Sequence, residues 1–282
     1  MRLYHYCSVQ SAHSILTSKK VRLSSLTHSN DFMEGQWSLE MVKKILQRIA
    51  SERNLSPYAA RLAVLGLELQ LNNYDALGLC LSEKGDVLSQ WRGYAHDGTG
   101  FSIGFSDEAI DSWKRSRTFK KVIYEESEQV ELLQPFVERL VQAVENGIFQ
   151  GPEDARSGGL GEPQLSEEQR QERRDQAAHS YASTGADMLE EQFSLKNPAF
   201  SEEQEWRLIT FKERTYEGCE FYASATKIVP YLEFDLPDVQ HSHVDHVILG
   251  PKNTIPVETV SAMLKTLGYN DVNVEPSLAS YR

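Results

Sequence analysis

Two glutamates next to a buried strand are the residues of this chain with the clearest potential for chemistry. Glu203 and Glu205 precede an apolar run at residues 208–211, and Arg207 continues the same two-residue spacing. Side chains two apart on a strand face the same side, so this pattern predicts two carboxylates and a guanidinium in a row at a strand end. Such a row is typical of an active-site edge, although a solvated loop before a strand that starts at Trp206 would give the same pattern.

Arg207 is the most informative neighbour of these carboxylates. On the face that carries Glu205, its planar fork predicts either a hold on that carboxylate or a contact with a pyrophosphate. Either arrangement would keep Glu205 charged. Trp206 is predicted to point to the opposite face, as a core side chain.

Composition excludes several classes of protein. The 282 residues are 40% hydrophobic and 25% charged, which is typical of a globular chain with one large domain or two small ones. The net charge of -12 disfavours a dedicated nucleic-acid binder, although residues 1–50 hold seven Lys or Arg and could still present a local basic face. Three isolated cysteines argue against a disulfide framework. With no apolar stretch of membrane-spanning length and no signal-peptide pattern, we expect a cytoplasmic protein.

The pattern of elements predicts an α+β fold on a mixed or antiparallel sheet, because short strand-like runs and blocks of helices do not alternate regularly. Neither a GxGxxG loop nor a P-loop is present. Residues 127–195 are helical and acidic, and Ser166 with Gln169 has the form of a capping box that begins a long helix. We therefore predict a single core domain from residues 1–126 and 196–282, with residues 127–195 as a helical insertion.

A further helix is predicted from the N-cap and proline pair Ser56 and Pro57. It is amphipathic, and its apolar face carries Leu62, Leu65 and Leu69. An earlier amphipathic helix precedes it in the chain.

Other catalytic arrangements have weaker support. His241, His243 and His246 lie close together in sequence, but no HExxH helix or cysteine partner accompanies them, so we predict no metal site. The nucleophile elbow GxSxG is absent. Cys7 beside His5 lacks an obvious third group to orient either residue.

Six short blocks in series resemble a bacterial family, the domain-of-unknown-function family twenty-nine seventy-one. The blocks are residues 3–8, residues 21–26 with Asn30, Asp31 and Glu34, residues 88–95 with Gly100, residues 203–207, Gly250-Pro251-Lys252, and Ser277 to Tyr281-Arg282. They span almost the whole chain, and only the stretch from about residue 127 to residue 195 falls outside the resemblance.

The layout of these blocks is similar in turn to that of ADP-ribosyltransferases, with an early strand histidine, a middle aromatic or serine motif and a late glutamate. The resemblance implies an ADP-ribosyltransferase-like core that uses NAD as co-substrate. In that reaction nicotinamide leaves and the ribose becomes oxocarbenium-like. The site then needs a ribose anchor, an aromatic ring for nicotinamide and a carboxylate that stabilises the cation.

The resemblance also implies a role for each matching residue. His5 would hydrogen-bond a ribose, and Tyr6 or Tyr94 would face nicotinamide. Glu205 would hold the ribose 2'-hydroxyl and stabilise the cation, while Glu203 would orient or deprotonate the acceptor. The other implied cofactor-binding residues are Ser24, Trp91, Arg92 and Arg207. Each has a structural alternative, since a strand histidine is often only hydrogen-bonded and helical aromatic residues are often core anchors.

We therefore expect an NAD-dependent ADP-ribosyltransferase, as a bacterial toxin or phage-defence effector. Its acceptor would be a protein or a nucleic acid, and an antitoxin is a possible partner. Two alternatives stay open. One is a non-enzymatic nucleotide- or partner-binding module in which the helical insertion carries the interaction, and the other is a metal-dependent nuclease or hydrolase.

Overall fold

The computed structural model describes residues 1–29, 33, 35–148, 166–223, 226–237 and 242–280. Asn30, Asp31, Glu34, His241, Tyr281 and Arg282, which the sequence analysis named, lie outside the described residues, as does the Gly- and Pro-rich part of the predicted insertion. The chain divides into two compact units. We call residues 1–32, 75–122 and 199–282 the sheet unit, and residues 33–74 and 123–198 the helical unit.

Ten strands and eight α-helices are found in the described part of the chain. The strands are β1 (Leu3–Cys7), β2 (Lys20–Ser25), β3 (Tyr74–Ser82), β4 (Phe101–Phe105), β5 (Thr118–Lys121), β6 (Glu205–Glu213), β7 (Glu220–Ala223), β8 (Ile228–Asp235), β9 (Val244–Leu249) and β10 (Asn273–Pro276). The helices are α1 (Val9–Ser18), α2 (Trp37–Glu52), α3 (Pro57–Leu71), α4 (Leu88–Tyr94), α5 (Asp107–Ser116), α6 (Glu126–Glu145), α7 (Glu167–Gln192) and α8 (Val257–Thr266).

The strands form one mixed sheet with the order β10-β9-β4-β1-β3-β2-β8-β7, and β6 pairs with both β3 and β5. Strands β9 and β10 are parallel, whereas β1 is antiparallel to both β3 and β4. The predicted α+β class and mixed sheet are confirmed. The finer prediction, a core that resembles ADP-ribosyltransferases, stays a prediction.

The core of the sheet unit lies around its central strands. All five residues of β4 are buried, as expected for a strand that is covered on both faces. Helices α1, α5 and α8 contribute apolar side chains to the same core, among them Leu16, Trp113 and Leu264. Serine N-caps fix the starts of α1 and α5, where Ser8 and Ser106 accept hydrogen bonds from backbone N–H groups of the first turn.

The helical unit is built from α2, α3, α6 and α7 around a second apolar core. The predicted capping box is present, because Ser166 and Gln169 each bond the backbone N–H of the other. The unit includes residues 33–74, which the predicted boundary placed in the core domain. Residues 33–74 belong to the helical unit because α2 and α3 bury their apolar faces in the same cluster as α6.

Helix α3 buries a different face from the one its leucines indicate. The face of α3 that packs into the core includes Ala59, Ala63 and Leu67, each fully buried. Leu65 and Leu69 are exposed. Tyr181 of α7 donates a hydrogen bond to the Ala63 carbonyl at 2.7 Å, so the small side chains of α3 allow a close approach of α7. No helix within the described ranges is both long and apolar enough to cross a membrane.

Gly100 offers a direct test of the packing before β4. A Cβ atom at this position would collide with the Cys7 carbonyl oxygen and would lie 3.0 Å from the Ala95 carbonyl oxygen. We expect Gly100→Ala to lower the free energy of unfolding by about 1–3 kcal/mol, because neither backbone atom can rotate away. Urea denaturation measures the change.

Gly93 on α4 is the matched control, because a Cβ atom there meets nothing within 4 Å. Alanine is the better helix former, so Gly93→Ala should raise the free energy of unfolding by about 0.5–1 kcal/mol. Equal effects of the two substitutions would contradict the steric explanation.

Candidate functional site

A small cavity in the sheet unit brings together several of the predicted site residues. Its volume is ≈ 50 Å³, and its lining includes His5, Tyr6, Tyr94, Glu203 and Glu205. Such a volume holds only a few water molecules, since each needs roughly 10–15 Å³. Small-molecule pockets commonly measure about 300–1,000 Å³, so the cavity can enclose only part of a larger ligand.

The carboxyl end of β3 joins the elements that surround the cavity. Tyr4 of β1 lies opposite Ser82 in the antiparallel pair, which sets β1 beside this strand end. The Ser82 hydroxyl donates to the Glu203 carbonyl at 2.7 Å, and the Glu83 backbone N–H donates to the Gln204 carbonyl at 3.1 Å. These two bonds fix the turn that leads into β6.

The strongest interaction at the site is a buried ion pair on β6. Arg207 donates from Nε and Nη2 to the two carboxylate oxygens of Glu205, at 2.8 and 2.9 Å. The two side chains are only 1% and 6% exposed. A bidentate guanidinium–carboxylate pair requires both groups to be charged, and its fork geometry fixes the carboxylate plane. Of the two arrangements expected for Arg207, the structure has the hold on Glu205.

The prediction that Glu203 and Glu205 share a strand face was wrong. Strand β6 begins at Glu205, and Glu203 ends a 3-10 turn that starts at Pro198. Gln204 between them has a left-handed backbone with φ of 43°, which interrupts the strand alternation. Both carboxylates nevertheless line the cavity, and Glu203 accepts a hydrogen bond from the Tyr94 hydroxyl at 3.0 Å.

His5 is held in one tautomer. Its Nδ1 lies 2.9 Å from the Cys80 carbonyl oxygen, which can only accept, so Nδ1 carries the proton. Burial lowers the pKa of His5 below its usual 6.5. The ring is therefore neutral at pH 7, and Nε2 is a hydrogen-bond acceptor rather than a donor.

Tyr6 and Trp91 are packed as structural side chains. The Tyr6 hydroxyl donates to the Lys84 carbonyl at 2.8 Å and accepts from the Val87 N–H at 3.0 Å. Burial raises the pKa of Tyr6 above its usual value. Its ring meets Trp91 edge to face at 4.8 Å, and Trp91 is fully buried. The Tyr6 hydroxyl is thus held, as donor and as acceptor, by the backbone between β3 and α4.

Four residues expected to bind a cofactor lie outside the cavity lining. Two of them, Trp91 and Arg207, are buried. Arg92 is exposed on α4, and Ser24 lies on β2, opposite Gly78 of β3. Among the aromatic residues proposed for nicotinamide, Tyr94 is the one with an exposed side chain, at 36%.

The described histidines near β9 are engaged with tyrosines. His243 lies 3.0 Å from the Tyr269 hydroxyl, and Nδ1 of His246 lies 3.1 Å from the Tyr4 hydroxyl. Within the described residues, no three His, Cys, Asp or Glu side chains are grouped to hold a metal ion.

Asp86 is a residue at the site that the sequence analysis missed. Its carboxylate accepts from Trp91 Nε1 at 2.6 Å, from the Ser277 hydroxyl at 2.6 Å and from the Leu278 N–H at 2.7 Å. It therefore ties α4, which carries Tyr94, to the segment after β10. The sequence indicated only one side of this contact. Ser277 belongs to the last block of the resemblance, but no sequence pattern indicated Asp86, which lies 191 residues away.

Comparison with known proteins gives one match. Residues 90–208 match the model of a family described as Protein of unknown function (DUF2971), which supports the predicted resemblance within that range. The match also runs through residues 127–195, so the expectation that this stretch falls outside the resemblance was wrong. The match includes Tyr94, Glu203, Glu205 and Arg207, whereas His5 lies outside it. Searches of the curated proteins and of the solved structures found no match.

The buried ion pair should behave asymmetrically on mutation. Glu205→Gln leaves the Arg207 charge buried without its counter-charge, so the free energy of unfolding should fall by about 3–5 kcal/mol. Removing both charges, in Glu205→Gln/Arg207→Met, should recover a large part of that loss. A double-mutant cycle in urea measures the coupling.

The exposed pair of Lys114 and Asp111 on α5 is the control for this cycle. Asp111→Asn should change the free energy of unfolding by less than about 1 kcal/mol. Additive effects at Glu205 and Arg207 would contradict the description of a coupled buried pair.

The lowered pKa of His5 predicts a stability loss on the acid side. As pH falls below 6.5, the unfolded chain takes up a proton at this residue while the folded protein does not. Stability therefore decreases until pH also passes below the folded pKa of His5. His5→Gln should remove this decrease in the free energy of unfolding below pH 6.5, which has a slope of up to about 1.4 kcal/mol per pH unit and is measured by urea denaturation. His13→Gln, at an exposed position of α1, is the matched control, and identical pH profiles for the two variants would contradict the assignment.

Proposed function

We propose that this protein transfers ADP-ribose from NAD to an acceptor, with Glu205 as the carboxylate that stabilises the developing ribose cation. The observation that supports this most directly is the buried, charged Glu205 in a cavity that also holds a neutral histidine acceptor. The match to a family of unknown function is compatible with this proposal and does not specify an activity.

Glu205 has the properties that such a carboxylate needs. Arg207 occupies one lone-pair position on each carboxylate oxygen, and an ionised carboxylate offers about four such positions in total. In the proposal, the Glu205 carboxylate accepts a hydrogen bond from the ribose 2'-hydroxyl. A preorganised charge in a water-poor site interacts more strongly with a developing cation than the same charge in water. Arg207 is a positioning residue in this scheme, because it acts by holding Glu205.

Three other residues that line the cavity are also assigned roles in the proposal. His5 Nε2 accepts a hydrogen bond from a ribose hydroxyl. The Tyr94 ring stacks on the nicotinamide at the rim. Glu203, which accepts from Tyr94 in the structure, then orients or deprotonates the acceptor nucleophile.

The cavity volume limits how NAD would be placed. At ≈ 50 Å³ the cavity takes no more than the reacting end of the cofactor, and only after Tyr94 moves outward. This movement would break the hydrogen bond from the Tyr94 hydroxyl to Glu203. The adenosine diphosphate part would extend over the exposed side of α4, where Arg92 can meet a phosphate.

A protein side chain is the acceptor class that the charges favour. The net charge of -12 repels a polyanion, and three of the seven basic residues near the N-terminus form ion pairs. Arg2 pairs with Asp245 at 2.7 Å, Lys20 with Glu233 at 3.1 Å, and Lys43 with Glu40 at 2.9 Å. An action as a toxin or defence effector, with an antitoxin partner, remains part of the proposal through the resemblance alone.

Nicotinamide release tests the proposal. The protein is incubated with NAD and a cell extract as the source of acceptor, at a temperature where circular dichroism shows each variant to be folded. We expect release by the wild type and a loss of about 10²–10³-fold in rate for Glu205→Gln, the cost of removing one preorganised electrostatic contact.

Asp75→Asn is the matched control for a buried carboxylate. Asp75 is fully buried in the sheet unit and accepts from Ser25, Thr27 and Tyr216, but it does not line the cavity. Its substitution should lower stability and leave the rate per folded molecule unchanged. No release by the wild type would overturn the transferase, and NAD binding in calorimetry without turnover would then favour the non-enzymatic binding module.

A further inference from the structure

Helix α3 presents a stripe of large apolar side chains to solvent. Tyr58, Leu65 and Leu69 are 60%, 49% and 61% exposed, and Leu62 between them is half-buried. The four residues follow one another at spacings of four, three and four, which is the a/d spacing of a coiled-coil seam. We call them the α3 stripe.

The α3 stripe lies on a helix that is fixed in the fold. The opposite side of α3 is buried in the helical unit through Ala59, Ala63 and Leu67. Ser56 caps the start of the helix by accepting from the Ala59 N–H. Exposure of the stripe is therefore a property of the folded unit and not of a fraying end.

The charges beside the stripe are arranged to complement a second copy of the same helix. Arg61 and Glu68 are seven residues apart, so they flank one side of the stripe, with the positive charge towards the start of α3 and the negative charge towards its end. When two such helices run antiparallel, the start of each meets the end of the other. Arg61 then faces Glu68 of the partner subunit, and the symmetric contact forms as well.

We propose that two copies of this chain pair through the α3 stripe in an antiparallel arrangement. Tyr58 packs against Leu69 of the partner subunit, and Leu62 packs against Leu65 of the partner subunit. The contact is isologous, so two copies complete it and no filament results.

The charges of α3 are available for this contact. Arg61 is exposed and forms no ion pair with another described residue. Glu68 lies 3.8 Å from Lys43, which is closer to Glu40 at 2.9 Å. The ion pair that Glu68 forms with Lys43 of its own chain is therefore the longer of the two.

The length of the stripe indicates a weak dimer. From Tyr58 to Leu69 the helix rises about 16 Å, at 1.5 Å per residue, so the interface belongs to the small class that forms and dissociates with concentration. An apolar groove between α2 and α3, lined by residues that include Leu46, Ala50 and Val64, adjoins Leu65 and adds contact area at the rim.

Sedimentation velocity over a range of concentrations tests the pairing. The full chain should move from 32.0 kDa towards twice that mass as its concentration rises. Leu65→Glu should raise the dissociation constant more than tenfold without a change in melting temperature, because the side chain is exposed. Ile228→Glu, at an exposed apolar residue of β8, is the matched control and should dimerise like the wild type. A monomer at every concentration, or a dimer that Leu65→Glu leaves intact, would overturn the proposal.

Charge reversal tests the antiparallel direction. Arg61→Glu alone and Glu68→Arg alone should each dimerise at least about fivefold more weakly, because two like-charge contacts form in each homodimer. A mixture of the two variants should recover wild-type dimerisation as a heterodimer, since each copy then meets its opposite charge. No recovery in the mixture would rule out this register and direction.

Discussion

The buried pair of Glu205 and Arg207 is the constraint on which the sheet unit's cavity depends. Two charges removed from water are tolerated only when each finds its counter-charge and its hydrogen bonds, so neither side chain can turn without a large penalty. Strand β6, which carries the pair, is paired with both β3 and β5. The orientation of Glu205 is thereby set by the sheet itself, and the small cavity beside it takes its shape from groups that cannot relax independently.

The remaining walls of the cavity come from separate parts of the chain and are held by individual polar contacts. His5 is fixed by the Cys80 carbonyl, the Glu203 turn by Ser82, and α4 by Asp86. None of these contacts is part of a regular helix or strand hydrogen-bond pattern. The ion pair of Glu205 and Arg207 is thus joined by several single polar contacts from distant parts of the chain in shaping the site.

Local patterns in the sequence predicted local structure well. The capping box at Ser166 and the mixed α+β class followed from residue types and spacing. Features set by distant contacts were not accessible: the buried side of α3 is chosen by small residues that permit α7 to approach, and residues 33–74 join the helical unit through a shared core. At the site, the left-handed Gln204 removed Glu203 from the strand. The chemical roles of His5, Tyr94, Glu203 and Glu205 stay predictions, because position alone does not establish reactivity.

The hold of Ser277 and Leu278 on Asp86 has a consequence for the timing of assembly. The cavity uses residues from β1 near the start of the chain and from β6 far along it, and α4 beside it is braced by Tyr6, by Glu203 and, through Asp86, by residues 277 and 278. During synthesis these braces become available one after another. A nascent chain therefore lacks the Asp86 brace until residues 277 and 278 have left the ribosome, so α4 gains its full set of contacts late in synthesis.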